Sequence, residues 1–126
     1  MLVQFSYGEC LIEANLDWGR CLGVLDVAPA APLSDPAAAL REGLQKPIGL
    51  CAPLLDSIRP RQRVLVIVSD SFRRTGVDQL LPALLDELAG RGVRDGDIAF
   101  LVATGTHRPP TEIELCAILG HEVFER

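Results

Sequence analysis

A chain of 126 residues, 48% hydrophobic and 23% charged, has the length and composition of one globular domain, which excludes a disordered tail, a collagen-like fibre and a coiled coil. Twelve Lys and Arg stand against seventeen Asp and Glu, a formal charge of -5, so no cationic surplus exists to neutralise a phosphate backbone and nucleic acid is not an expected partner. No apolar run approaches the ~20 residues of a membrane span, and the opening Met1-Leu2-Val3-Gln4-Phe5-Ser6-Tyr7 lacks the regions of a signal peptide, so the expected compartment is the cytoplasm, with no membrane partner.

Residues 2–7 alternate, and Gly8-Glu9 is placed to turn the chain into Cys10 to Leu16, which predicts a β-hairpin. A third apolar run, Cys21 to Val27, ends in Ala28-Pro29-Ala30-Ala31-Pro32, whose prolines lack an amide donor and mark a connector. Ser34-Asp35-Pro36 reads as a helix start, with Asp35 placed to accept orphan amide hydrogens and Pro36 at the first helical position. That helix runs to about Gln45, because Pro47 disfavours helical geometry at Lys46; Cys51 to Ile58 adds a further turn or two.

The second half has a cleaner rhythm. Val64-Leu65-Val66-Ile67-Val68 is an unbroken aliphatic run, which predicts a strand covered on both faces at the centre of a sheet. Leu80, Leu81, Leu84, Leu85 and Leu88 recur at helical spacing, with Pro82 in the first turn and Gly90 or Gly92 at the end. Ile98 to Ala103 is a second buried strand, and strand, helix and strand together have the length of a parallel crossover. Thr111-Glu112-Ile113-Glu114 is a capping box, opening a last helix that reaches Leu119 and is closed by Gly120, with His121 as a C-terminal cap. The fold class read from this order is α/β: one domain over 1–126, a Rossmann-like parallel sheet with flanking helices, preceded by an N-terminal β-hairpin.

Cys10, Cys21, Cys51 and Cys116 lack C-x-x-C spacing and read as reduced, mostly buried thiols. One Trp, one Tyr and four Phe are too few for a base-stacking platform.

The chemistry is expected in two polar segments, Ser69 to Gly76 and Thr104 to Pro110, each following the carboxyl end of a strand. Parallel strands bring both segments to one edge, where α/β sheets bind ligands. Asp70 follows five apolar residues and needs either hydrogen-bond donors or a ligand hydroxyl; capping its own loop satisfies the same need. Arg73 is either a two-pronged grip on a carboxylate or phosphate or a solvated cation, and Arg74 reads as the latter. His107, between small residues and Pro109-Pro110, suits proton transfer near neutral pH, the alternative being a histidine that bonds its own loop. Ser69 or Ser71 with His107 and Asp70 invites a hydrolase reading, but no G-x-S-x-G elbow is present. Asp70, His107 and His121 lack any recognised metal-ligand spacing.

At these loops the chain resembles the nickel-dependent lactate racemase family, in the amino-terminal part of its catalytic domain. The resemblance spans Asp35-Pro36, Pro47-Ile48-Gly49, Val68-Ser69-Asp70, Leu81-Pro82-Ala83-Leu84-Leu85 and, most specifically, Ala103-Thr104-Gly105-Thr106-His107-Arg108-Pro109 with Thr111-Glu112-Ile113-Glu114. The family's first loop reads approximately D-x-T-R-P, so Asp70 and Arg73 match while Phe72 and Arg74 depart from it. The resemblance implies a racemase or epimerase of 2-hydroxy acids working with a nickel-pincer nucleotide. A histidine takes the hydroxyl proton as hydride leaves the carbon, and return of hydride to the opposite face inverts the centre. By the same resemblance His107 is an acid/base group, Asp70, Arg73, Thr104, Gly105, Thr106 and Arg108 line the cofactor or substrate site, and no metal ligand lies within this chain.

The second acid/base histidine, the cofactor-holding lysine and the nickel-ligating histidine of the family would lie beyond Arg126. The chain is therefore expected to be the N-terminal part of a longer racemase-like protein, inactive alone, with apolar surface left open to self-association. The rival reading is a stand-alone module that binds a nucleotide or small carboxylate without turnover.

Overall fold

A computed structural model describes residues 1–20, 22–23, 25, 27–73 and 75–126, which form two compact units, Met1–Ala31 and Pro32–Arg126. In the first unit, β1 (Leu2–Tyr7) and β2 (Cys10–Asn15) pair antiparallel from Leu2 opposite Asn15 to Tyr7 opposite Cys10, the hairpin expected around Gly8-Glu9. Gln4 and Glu13 face each other in this register, and the Gln4 amide donates to the Glu13 carboxylate at 2.8 Å. Leu22, Gly23, Leu25 and Val27, from the third apolar run, are in no strand, and the run's Cys21 lies outside the described residues.

The second unit opens with α1 (Pro36–Gln45), whose start is the one the residues dictate: Asp35 accepts from the Ala38 amide at 2.9 Å, and Pro36 occupies the first turn. Lys46 leaves helical geometry ahead of Pro47. A single 3-10 turn, Leu54–Ser57, follows. Next come β3 (Val64–Ser69), α2 (Leu81–Gly90) and β4 (Ile98–Ala103), with β3 and β4 paired in parallel from Val64 opposite Ile98 to Ser69 opposite Ala103. The Thr111 capping box opens α3 (Glu112–Leu119), and Gly120 ends it as expected.

One face of the β3–β4 sheet carries the core. Val68 is buried with Leu44 of α1, Leu81, Leu85 and Leu88 of α2, and Ile118 and Leu119 of α3, while Val64, Val66, Ile98, Phe100 and Val102 pack against this cluster. Because side chains alternate along a strand, the intervening residues point the other way. There the expectation of strands covered on both faces fails: Leu65 is 57% exposed, Ile67 64% and Leu101 50%. Among the described residues the second unit holds a two-stranded sheet, so β3 has no central position there and its outer-face residues Leu65 and Ile67 stay exposed. The fold is mixed α/β, and the described residues form an antiparallel hairpin and a parallel strand pair with helices, without completing a Rossmann-like sheet.

Two smaller expectations also fail. Cys10 and Cys51 are exposed and Cys116 is half-buried, since a thiol is buried only where its element turns a face to the core; Cys21 lies outside the described residues. His121 does not cap α3 but opens a further helix, α4 (His121–Glu125), whose Val123 joins the core. No helix among the described residues is long and apolar enough to cross a membrane.

Candidate functional site

Parallel pairing puts the ends of β3 and β4 level, Ser69 beside Ala103, so the loops that follow leave from one edge. In the first loop Asp70 is buried, 5% exposed, at the point where β3 ends. In the second, the His107 amide donates to the Thr104 carbonyl at 3.0 Å, closing a tight turn over Gly105, whose φ of 59° lies in the left-handed region that glycine enters freely. The turn throws the imidazole back across the edge, and Nδ1 of His107 meets Oδ2 of Asp70 at 2.5 Å.

An ionised carboxylate only accepts, so with Asp70 in that form Nδ1 is the donor and a neutral ring would keep Nε2 as its acceptor. The Phe72 ring packs on the imidazole, centroids 4.5 Å apart and planes tilted by 48°, which limits rotation of the ring. The Asp70 side chain is 6% exposed and that of His107 46%: the pair has an anchored end and an open end. Such a pair can hold an imidazole in one tautomer and offer its outer nitrogen to a hydroxyl proton.

Beside Asp70, between the first loop and α3, lies a cavity of about 460 Å³, within the size range of small-molecule sites. Asp70, Ser71, Arg73 and Thr75 give it a carboxylate, a guanidinium and two hydroxyls, with Ala117 and Ile118 as its apolar wall. Arg73 therefore lines the cavity beside Asp70. Arg74 lies outside the described residues. Thr104 and Gly105 shape the His107 turn and Thr106 is exposed on it; none of the three lines the cavity.

Arg108 is engaged elsewhere. Its two terminal nitrogens donate to the two carboxylate oxygens of Glu114, both at 2.8 Å, and Nη1 also donates to the Pro109 carbonyl at 3.0 Å. Glu114 further accepts from the Thr111 amide at 2.7 Å, the Thr111 hydroxyl at 3.1 Å and the Ser71 hydroxyl at 3.3 Å. The Arg108 guanidinium, followed by the Thr111 amide, holds its carboxyl down at about 2.

The hydrolase reading finds no support, because the Ser71 hydroxyl donates to Glu114 and, among the described residues, neither Ser69 nor Ser71 is hydrogen-bonded to His107. His121 begins α4, and among the described residues no three His, Cys, Asp or Glu side chains converge as metal ligands. Sequence reasoning saw Glu114 only as a helix cap. Its second role had a signal, a cation six residues upstream in the segment that a capping box folds back toward its own start. The contacts of Phe72 and Ser71 cross between loops and had none.

Residues 7–126 match the family described as the lactate racemase N-terminal domain. A lactate racemase of Thermoanaerobacterium thermosaccharolyticum is 31% identical over 125 residues, covering 98% of this chain and 29% of that protein. The chain thus spans less than a third of the length of this relative.

Proposed function

The chain belongs to the lactate racemase N-terminal domain family, and from that premise we propose that it is the N-terminal segment of a longer racemase or epimerase of 2-hydroxy acids, with His107 as an acid/base group. The observation that carries the proposal is the contact between Asp70 and Nδ1 of His107 at the shared strand edge.

The polar groups around the cavity suit the polar part of a nucleotide: the Arg73 guanidinium can donate to a phosphate, the Asp70 carboxylate can accept from sugar hydroxyls, and the Ser71 and Thr75 hydroxyls can bond to them. Among the described residues they do not amount to a nickel-binding set. When bound, a nickel-pincer nucleotide supplies the hydride acceptor. The chain's own residues handle the proton. Nε2 of His107 takes it from the substrate hydroxyl as the carbon is oxidised, and the buried Asp70 carboxylate stabilises the imidazolium so formed. Returned to the hydroxyl oxygen, the same proton completes either enantiomer. Arg73, which lines the cavity, would anchor the substrate carboxylate or a cofactor phosphate.

The test uses the full-length, nickel-loaded protein and a panel of chiral 2-hydroxy acids. His107→Ala is expected to lower turnover by about a hundredfold or more with the circular dichroism spectrum unchanged. Wild-type turnover in that variant removes the assignment. Tight nucleotide binding by calorimetry with no substrate of the panel converted favours a binding module instead.

A further inference from the structure

Asp70 and His107 stand on separate loops, and an acid/base pair works only while its members keep within a few tenths of an ångström of the productive distance. Nothing in the covalent chain fixes that distance. Both loops are, however, tied to one side chain. Ser71, next to Asp70, donates to Oε1 of Glu114 at 3.3 Å; Arg108, next to His107, grips both oxygens of Glu114 at 2.8 Å. Glu114 sits in the first turn of α3, which is seated in the core through Ile118 and Leu119.

A helix cap needs only the Thr111 contacts. The bonds to Ser71 and Arg108 exceed that need, and both lead to neighbours of the acid/base pair. We propose that Glu114 is a positioning residue, a clamp on α3 that holds the Asp70 loop and the His107 loop in register so that the two side chains stay in contact. The inference rests on the acid/base reading of His107 for its consequence in turnover, but the clamp itself is read from geometry. Its carboxyl stays ionised across the neutral and mildly acidic range, as a clamp on a guanidinium requires.

Glu114→Gln separates clamp from cap. Glutamine is as good as glutamate in the third position of a capping box, so α3 keeps its start, but an amide cannot accept both donors of Arg108. In the full-length protein with [15N]histidine, the Nδ1-bound proton of His107, identified by its loss in His107→Gln, is expected to move upfield or vanish by exchange in Glu114→Gln. In the nickel-loaded enzyme kcat should fall by about tenfold or more while KM changes less. If Glu114→Gln does not fold, Arg108→Ala breaks the same pair from its other end and is read by the same proton. A His107 signal and a kcat identical to wild type in Glu114→Gln overturn the proposal, as does an unmoved signal in Arg108→Ala where that variant replaces it. Normal turnover in His107→Ala sinks the acid/base reading instead, and a displaced signal in Glu114→Gln still upholds the clamp.

Discussion

The Asp70 carboxylate lies 2.5 Å from Nδ1 of His107 across 37 positions of sequence, its side chain 6% exposed against 46% for the imidazole. The gradient from a buried anchor to an open ring gives the pair a direction. Asp70 directly follows β3 and its carboxylate meets Nδ1 of the imidazole, which leaves Nε2 on the more exposed side of the pair.

Asp70→Asn keeps the size of that anchor and removes its charge. The amide still bonds the ring but no longer stabilises an imidazolium, and it can present either nitrogen or oxygen to Nδ1. In the full-length enzyme, turnover is expected to drop about a hundredfold or more, followed by chiral chromatography, with little change in melting temperature. Turnover within threefold of wild type contradicts the orienting role.

The two faces of the β3–β4 sheet differ in what covers them, and substitution should report it. Leu88, 2% exposed, belongs to the packed side, and Leu88→Ala is expected to cost about 2–5 kcal/mol in urea denaturation. Ile67, 64% exposed on the open side, should tolerate Ile67→Thr within about 0.5 kcal/mol in this chain. Equal losses at the two sites are incompatible with the one-sided core.

Gly92 follows α2 with a φ of 79°, and a Cβ there meets the Cβ of Pro60 at 3.0 Å. Its carbonyl accepts from the Arg61 amide at 3.0 Å, so the glycine cannot shift without breaking a bond to the segment leading into β3. Gly92→Ala is expected to destabilise by about 1–2 kcal/mol from the left-handed backbone alone, with the Pro60 contact adding to it. Calorimetric melting measures the loss, and an unchanged midpoint refutes the close approach.

Acid should loosen the Glu114 network. Its pKa is held at about 2, below the ordinary 4.5, chiefly by the Arg108 hydrogen bonds and then by the Thr111 amide. A lowered pKa stabilises the fold fully above 4.5, where the carboxyl is ionised folded or unfolded, and that stabilisation is lost as pH falls toward 2. Wild type should therefore lose stability more steeply than Glu114→Gln between pH 5 and pH 2 in denaturation curves. Parallel curves for the two proteins show that the carboxylate carries no such linkage.

Much of the fold was legible because its signals are local. Asp35 sits three residues from the Ala38 amide it accepts from, with Pro36 in the first turn, Thr111 and Glu114 close a box on themselves, and the leucines of α2 repeat at the period of the helix they form. The loops could be assigned to one edge because a strand, helix and strand of this length return in parallel. Arg108 shows where such reasoning stops. The family resemblance implies that Arg108 lines the cofactor or substrate site, yet its guanidinium is engaged by Glu114, and only the placement of α3 against both loops decides that.

The aliphatic run of β3 is the same lesson in packing. Its residues declare both faces apolar, but whether a face is covered depends on what else lies within a few ångströms, and Leu65 and Ile67 find no cover while Val68 does. The sequence by itself determined β1 to β4, α1 to α3, the caps that open α1 and α3 and the pair of loops that carry the polar groups, because each depends on neighbours a few residues away. Tertiary structure alone decided that the Asp70 carboxylate meets the His107 ring, that Phe72 lies on that ring and that Glu114 joins the two loops. Those contacts join side chains on separate loops, and their separation is set by how the core seats α3 against the strands, a sum of many weak burials that no local pattern encodes.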